Sequence, residues 1–181
     1  MSQEHIKNTL LAAMGNLEKN PAGAKVVFRA STQLEEGMHC TGKVRDFPAI
    51  SIDEPADLGG SDRGPNPVEI VLVALGTCQE IVYRAYASVM GIQLESVKCN
   101  VRGYLDLRGL FGMQEGVRAG YHKVVFETEV VSSAAREELE KLAQIVEKHC
   151  PVLNTLQEPV EVTGSVMING KPMAVEAGAT A

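Results

Sequence analysis

Cysteine is the residue type with the most chemistry to offer in this 181-residue chain, and two of its four cysteines stand in distinctive surroundings. Cys78 closes the apolar run Val71-Leu72-Val73-Ala74-Leu75-Gly76-Thr77, itself preceded by Gly64-Pro65-Asn66-Pro67-Val68-Glu69. Cys150 stands far along the chain in His149-Cys150-Pro151-Val152. Each lies on an apolar helical segment, where a thiol either packs as a small hydrophobe or, once ionised, attacks as a nucleophile. The other two, Cys40 and Cys99, fall in strand patterns and read as packing residues. None of the four forms a Cys-x-x-Cys arrangement. In a reducing compartment a lasting structural bridge is not expected, so any disulfide here is transient and catalytic.

The elements that must hold these thiols can be read from periodicity. Ile6, Leu10, Leu11, Met14 and Leu17 recur at helical spacing over residues 3–19, and Asn20-Pro21-Ala22-Gly23 ends that helix. Residues 25–34 and 38–53 read as strands of an antiparallel hairpin around Glu35-Glu36-Gly37, with a third short strand at 49–52. The glycines and prolines of 55–65 mark a loop. A helix then runs to Met90, with Asn66 as its cap, Pro67 first in the helix, Glu69 three residues after the cap and Gly91 as the stop. It is apolar on nearly every face, which predicts burial. Strands are expected at 93–107 and 121–131, separated by a glycine-containing loop over 109–120. A second helix is expected at 134–149, capped by Ser132 or Ser133, with Glu137 and Glu138 in its first turn and Lys148 in its last. A strand pair around Asn169-Gly170 closes residues 159–173, and 174–181 read as frayed.

This order makes an α+β fold: antiparallel sheets packed around a long buried central helix. The expected organisation is a helical extension at 1–22, one domain at 23–175 and a tail at 176–181. A central helix with no polar face needs cover on two sides, which points to a second copy. Composition excludes other classes. The formal charge of −6 and a pI near 5.3, with no basic stripe, argue against a nucleic-acid surface. The polar, acidic Met1-Ser2-Gln3-Glu4 start does not look like a signal peptide, and no apolar run approaches a membrane span, so a cytoplasmic location is expected.

The Gly-Pro-Asn-Pro start, the apolar helix carrying Gly76-Thr77-Cys78 and the later Cys150-Pro151-Val152-Leu153-Asn154-Thr155-Leu156 together resemble the OsmC/Ohr family of osmotically induced and organic-hydroperoxide-resistance proteins. The resemblance covers about residues 24–170. It implies an intertwined homodimer with active sites at the interface, and a cofactor-free thiol peroxidase acting on organic hydroperoxides. On this resemblance Cys78 takes the place of the attacking thiol and Cys150 that of the resolving thiol, with an external dithiol closing the cycle. It also implies an arginine from the N-terminal strands that stabilises the Cys78 thiolate, held by a glutamate at the start of the central helix.

The chain departs from that pattern at one position. The residue after Pro67 should carry the glutamate and is Val68; Glu69 comes one place later. Half a helical rotation separates Glu69 from the Cys78 side, so Glu69 reads equally as a capping-box carboxylate or as an electrostatic partner. Among the arginines, Arg45, expected on a strand, is favoured over Arg63 near the helix start and Arg29 on the first strand. Ser61-Asp62-Arg63 also reads simply as a polar turn. Cys150 closes a helix, where the dipole disfavours a thiolate, which a resolving thiol tolerates better than an attacking one. A zinc site from His39, Cys40, His149 and Cys150 has no motif-like spacing behind it, and His149 reads as a helix-end histidine in solvent. Phe47, Tyr104, Leu110, Phe111 and Met113 are candidates for an apolar substrate entry; Leu110, Phe111 and Met113 read equally as anchors of their loop against the core. A member of the same family that binds a small apolar or thiol-bearing ligand without turnover is the alternative function, and Val68 favours it.

Overall fold

The structure, a computed structural model, describes residues 2–175. The apolar run after Asn66 forms one 24-residue helix, α2 (Pro67–Met90, following α1 at Gln3–Lys19), and the second half of the chain is built around it. Its start is set by a closed capping box. Asn66 Oδ1 accepts from the Glu69 amide at 2.9 Å, and Glu69 Oε2 accepts from the Asn66 amide at 2.8 Å. Its end is set by Gly91, whose φ of 78° is a left-handed cap that a side chain would strain.

One face of α2 carries Leu75, Gln79, Tyr83 and Ala87, four residues apart and all buried. This face packs on the antiparallel pair β4 (Ser96–Tyr104) and β5 (Lys123–Val131), on α4 (Arg136–His149) and on α5 (Pro151–Gln157). Gly76 permits the close approach to β4, since a Cβ there would stand 3.3 Å from Val101 Cγ2. The core divides along the helix. Tyr83, Ala87, Ile92, Leu94, Leu142 and Val146 form one cluster, and Leu75, Cys150 and Leu153 form the other.

The prediction of burial on nearly every face holds on one side only. Val73 is 56% exposed, Ile81 is 67% exposed and Thr77 between them is exposed as well, because no element among the described residues covers that side. The N-terminal helix α1 lies along α2, tied at its first residue. Gln3 Nε2 donates to Ile92 O at 2.8 Å, while Gln3 Oε1 accepts from Arg84 Nη1 at 2.7 Å and from the Leu94 amide at 3.1 Å.

The N-terminal strands are shorter than the alternation predicts. β1 (Ser31–Leu34), β2 (Cys40–Lys43) and β3 (Ile50–Ile52) form an antiparallel sheet in that order. Residues 25–30 stay outside it because β2 ends opposite Ser31, and Phe28 is left 90% exposed. The strand expected over 38–53 is broken by a turn in which Arg45 takes a φ of 52° and Pro48 follows. This sheet makes no substantial packing contact with α2.

Other boundaries moved for local reasons. The loop over 109–120 is preceded by, and partly includes, a one-turn helix α3 (Leu107–Leu110), capped by Asp106. α4 begins after Ala135, whose amide donates to Glu138 Oε2, so neither serine caps it; Ser132 Oγ instead donates to Gln93 O. Asn169 and Gly170, at φ 49° and 79°, turn β6 (Gly164–Ile168) into β7 (Lys171–Val175) as the dipeptide predicts. Of the end expected to fray, residues 174 and 175 belong to β7, and 176–181 lie outside the described residues.

Candidate active site

Folding brings Cys78 and Cys150 into one cluster. Cys150 is fully buried with Leu75 and Leu153, and Cys78, one helical turn past Leu75, is half-buried against the same group with Val101, Val124 and Phe126. Both thiols are unbridged. Cys150 occupies the junction between two helices. Its amide donates to Val146 O at 2.9 Å, closing α4, and it is also the residue from which α5 starts, with Pro151 first in that helix. The dipole reading from sequence was therefore incomplete, since α4 presents its negative end and α5 its positive end to the same residue. Burial pushes the Cys150 thiol above its ordinary pKa. The amides of Leu153 and Val152 pull the other way, while the neighbouring Cys78 side chain adds to the rise.

Glu69 is occupied at the helix start. Both halves of the capping box are closed, as one of its two sequence readings has it. The arginines lie elsewhere. Arg45 is in the β2–β3 turn, not on a strand, with its guanidinium 4.5 Å over the Phe47 ring. Arg63 pairs with Glu36 at 3.7 Å on the exposed side of the N-terminal sheet. Among the described residues, their contacts are with Phe47 and Glu36, not with Cys78.

The polar turn before α2 is firmly built. Asp53, 1% exposed, accepts from the amides of Glu54, Ser61 and Arg63 at 2.9, 3.1 and 3.2 Å. Burial alone would raise its pKa. The three amides, joined by the charge of His39, outweigh that and hold the carboxyl below its ordinary value. Asn66 Nδ2 reaches back to Glu54 Oε2 at 3.3 Å, so the loop delivers α2 in a defined place.

A cleft of about 390 Å³ opens beside the thiol cluster. Its apolar wall includes Leu75, Val124, Phe126 and Leu153, which the cluster shares. Its other side carries Arg118, Tyr121, His122 and Lys123. None of the five residues expected to line an entry takes part in it. Nor do Leu110, Phe111 and Met113 anchor their loop on the core, for all three are exposed. The loop is held by its own bonds instead: Arg108 donates to both oxygens of Asp106 and to Gln114 Oε1, and drives the Asp106 carboxyl down to about 2.

Among the residues of this region that were not singled out from sequence, four stand out. Tyr121 donates to Val68 O at 3.0 Å, joining the end of the loop to the first turn of α2, and Gly103 makes room for its ring. Arg118 and Lys123 supply charge at the cleft. Gln79, buried beside Cys78 in the chain, has an Nε2 with no hydrogen-bond partner. A polar residue inside an apolar helix was the available signal for Gln79; nothing local marks the other three.

Comparison with known proteins agrees with this architecture. The family model described as OsmC-like protein matches residues 59–165. A hydroperoxide reductase of Mycoplasma genitalium is 29% identical over 97 residues, 52% of this chain and 63% of that protein, so the matched stretch spans under two thirds of that relative's length. An OsmC-like protein of Mycoplasma pneumoniae has the same fold, with a TM-score of 0.64 at 22% identity over 75% of this chain and 90% of its own. An organic hydroperoxide resistance protein of Legionella pneumophila gives 0.56 at 20% identity, covering 76% and 95%. With more than half of its length matched by that family model and its helix-and-sheet arrangement shared with these structures, the chain belongs to the OsmC-like protein family.

Proposed function

We propose that this protein is a thiol peroxidase that reduces organic hydroperoxides to alcohols through Cys78 and Cys150. The Cys78 thiolate attacks the terminal oxygen of ROOH, the O–O bond breaks, and the alkoxide leaves as ROH after taking a proton. Cys78 is then a sulfenic acid. The Cys150 sulfur displaces its hydroxyl as water, forming a Cys78–Cys150 disulfide that an external dithiol reduces by exchange. The observation that carries this reading is that two cysteines so far apart in sequence share one cluster beside a cleft.

The working unit in this proposal is a homodimer. The bare strip of Val73, Thr77 and Ile81 on α2 and the exposed segment around Phe28 are apolar surfaces a second copy would cover. The second reading, a ligand-binding protein without turnover, is favoured by one observation: Glu69, Arg45 and Arg63 all have other partners within the chain.

One experiment separates them. Fully reduced protein receives one equivalent of cumene hydroperoxide, and the product is mapped by intact mass and peptide analysis within seconds. A rapid Cys78–Cys150 disulfide, absent in Cys78→Ser, is expected. Survival of both thiols over many minutes would sink the peroxidase and leave the binding protein.

A further inference from the structure

We propose that the side-chain amide of Gln79 is the hydrogen-bond donor that meets the charge of the Cys150 sulfur when Cys150 attacks oxidised Cys78. This rests on the peroxidase reading for how Cys78 becomes oxidised, although the hydrogen bond between the two side chains does not depend on peroxide.

Gln79 lies in the middle of the apolar helix α2 and is 1% exposed. Its Nε2 is buried and, among the described residues, has no hydrogen-bond acceptor. Buried donors in folded proteins are nearly always paired, because an unpaired one has given up water for nothing. A leucine or methionine would fill the same space without that penalty. A donor kept there is explained if an acceptor arises at some stage of the protein's work.

The packing of α2 on α4 directs the search for that acceptor. Leu75 shares its cluster with Cys150, while Tyr83 and Ala87, further along α2, share theirs with Val146 and Leu142, further back along α4. Gln79 is one turn from Leu75 and one turn from Tyr83, so it stands between these layers. A helical side chain lies over the turn that precedes its own Cα, which turns the carboxamide of Gln79 towards the layer of Leu75 and Cys150. Within that cluster the sulfurs of Cys78 and Cys150 are the only side-chain atoms able to accept a hydrogen bond. Cys78 is adjacent to Gln79 on the same helix and about 100° round from it, whereas Cys150 is packed onto the shared face.

In the reduced protein Cys150 is a neutral thiol and a weak acceptor, its proton held by burial and by the neighbouring Cys78 side chain. The resolving step changes that. Cys150 gives up its proton, its sulfur attacks the Cys78 sulfenic acid, the S–S bond forms as the S–O bond breaks, and the leaving hydroxide takes a proton to depart as water. The charge carried by the Cys150 sulfur before the new bond forms is the acceptor that Nε2 lacks. In a dry cluster, a fixed donor aimed at developing charge counts for more than it would in water. Cys78 is the other titratable group of the cluster. Around it, His149 stacks on Tyr86 with ring centres 5.6 Å apart, Glu147 and Lys148 flank Phe126 and Leu153 on one side, and Arg118, Tyr121, His122 and Lys123 line the cleft on the other.

The test loads Cys78 as a mixed disulfide with thionitrobenzoate, in a Cys40→Ala/Cys99→Ala background where only the pair reacts. Attack by Cys150 on the Cys78 sulfur breaks that mixed disulfide and releases the coloured thiolate, so stopped flow reads the rate across neutral and alkaline pH. Cys150→Ala, which cannot attack, is the blank. A hydrogen bond to a charged acceptor shifts the thiolate equilibrium by about tenfold, which is about one pH unit. In Gln79→Met, similar in shape but without a donor, the pH profile is expected to move up by about one unit. Release near neutral pH is expected to slow by only about threefold, since a more basic thiolate is also a better nucleophile. Gln79→Asn, which keeps a shorter carboxamide, is expected to fall between. An unshifted profile in Gln79→Met, or a slower rate with no shift, would overturn the inference.

A second measurement keeps all four cysteines. With carbon-13 cysteine, the Cβ resonance of Cys150 is titrated in the reduced wild-type protein and in Gln79→Met. The midpoint is expected about one unit higher in the variant, and coincident midpoints would overturn the inference even where the cysteine-depleted background fails to fold. If peroxide leaves both thiols untouched, the peroxidase reading fails alone, and these two measurements still decide whether Gln79 serves Cys150.

Discussion

Cys150 is completely buried against Cys78, and the same burial that joins the two thiols holds Cys150 in its protonated form. A thiol whose folded pKa is raised binds its proton more tightly in the folded state. Its contribution to stability is therefore fully present below the unfolded value of about 8.5 and is lost as pH rises towards the folded value. Denaturant unfolding of the reduced protein is expected to show stability that declines as pH rises above about 8.5. Cys150→Ala should be about 1–3 kcal/mol less stable throughout yet show a flatter decline. Tyr83 and Tyr121, both shifted upward by burial, add a decline of their own that begins only near the ordinary tyrosine value of about 10. Parallel pH profiles for the two proteins would remove Cys150 as the source.

Glu69 is expected to behave as a helix cap. Glutamine can fill the same place in a capping box, so Glu69→Gln should leave both thermal stability and the rate of Cys78 oxidation unchanged. Asn66→Ala should cost about 1 kcal/mol by opening the other half of the box. A large loss of peroxide reactivity in Glu69→Gln, with stability intact, would restore an electrostatic role.

Gly103 is reserved for the Tyr121 ring. A Cβ at Gly103 would lie 2.3 Å from Tyr121 Cε1, so Gly103→Ala must displace the ring that donates to Val68 O. Overpacking of this kind costs about 1–3 kcal/mol. Tyr121→Phe, which removes only the hydrogen bond, should cost about 1 kcal/mol. Chemical denaturation of both variants checks the order, and an equal or greater loss in Tyr121→Phe would contradict it.

The bare strip on α2 sets the expectation for assembly. Ile81→Glu places a charge in the middle of the proposed subunit contact, where burial of an unpaired carboxylate is strongly unfavourable. Sedimentation velocity should show the wild-type chain as a dimer and Ile81→Glu as a monomer. A wild-type monomer at micromolar concentration would contradict the proposed assembly.

The elements most legible in the sequence were those whose determinants are local. The central helix carries its own start and stop in Asn66, Pro67, Glu69 and Gly91, and each acts within one turn of where it stands. The Asn169-Gly170 turn is likewise set by the conformational freedom of its own two residues. The strands at the N-terminus were less legible because a strand needs a partner. Residues 25–30 have strand-like composition and no partner strand among the described residues, so they stay outside the sheet.

By itself, then, the sequence determined the α+β order of elements and the capped central helix, since these depend on residue type and short-range spacing, while the two thiols worth following were marked by the resemblance of the segments around them to the OsmC/Ohr family. Only the tertiary structure decided what surrounds them. Arg45 and Arg63 were candidates because the resemblance implies an arginine from the N-terminal strands, but a turn and an ion pair with Glu36 take them elsewhere. Arg118, Tyr121 and Lys123 carry no local signal, and they reach the cleft because the β4–β5 register and the packing of α3 set the path of the loop between them. The environment of Cys150 also belongs to the fold, because burial depends on what other segments pack against a residue, which no short window of sequence contains.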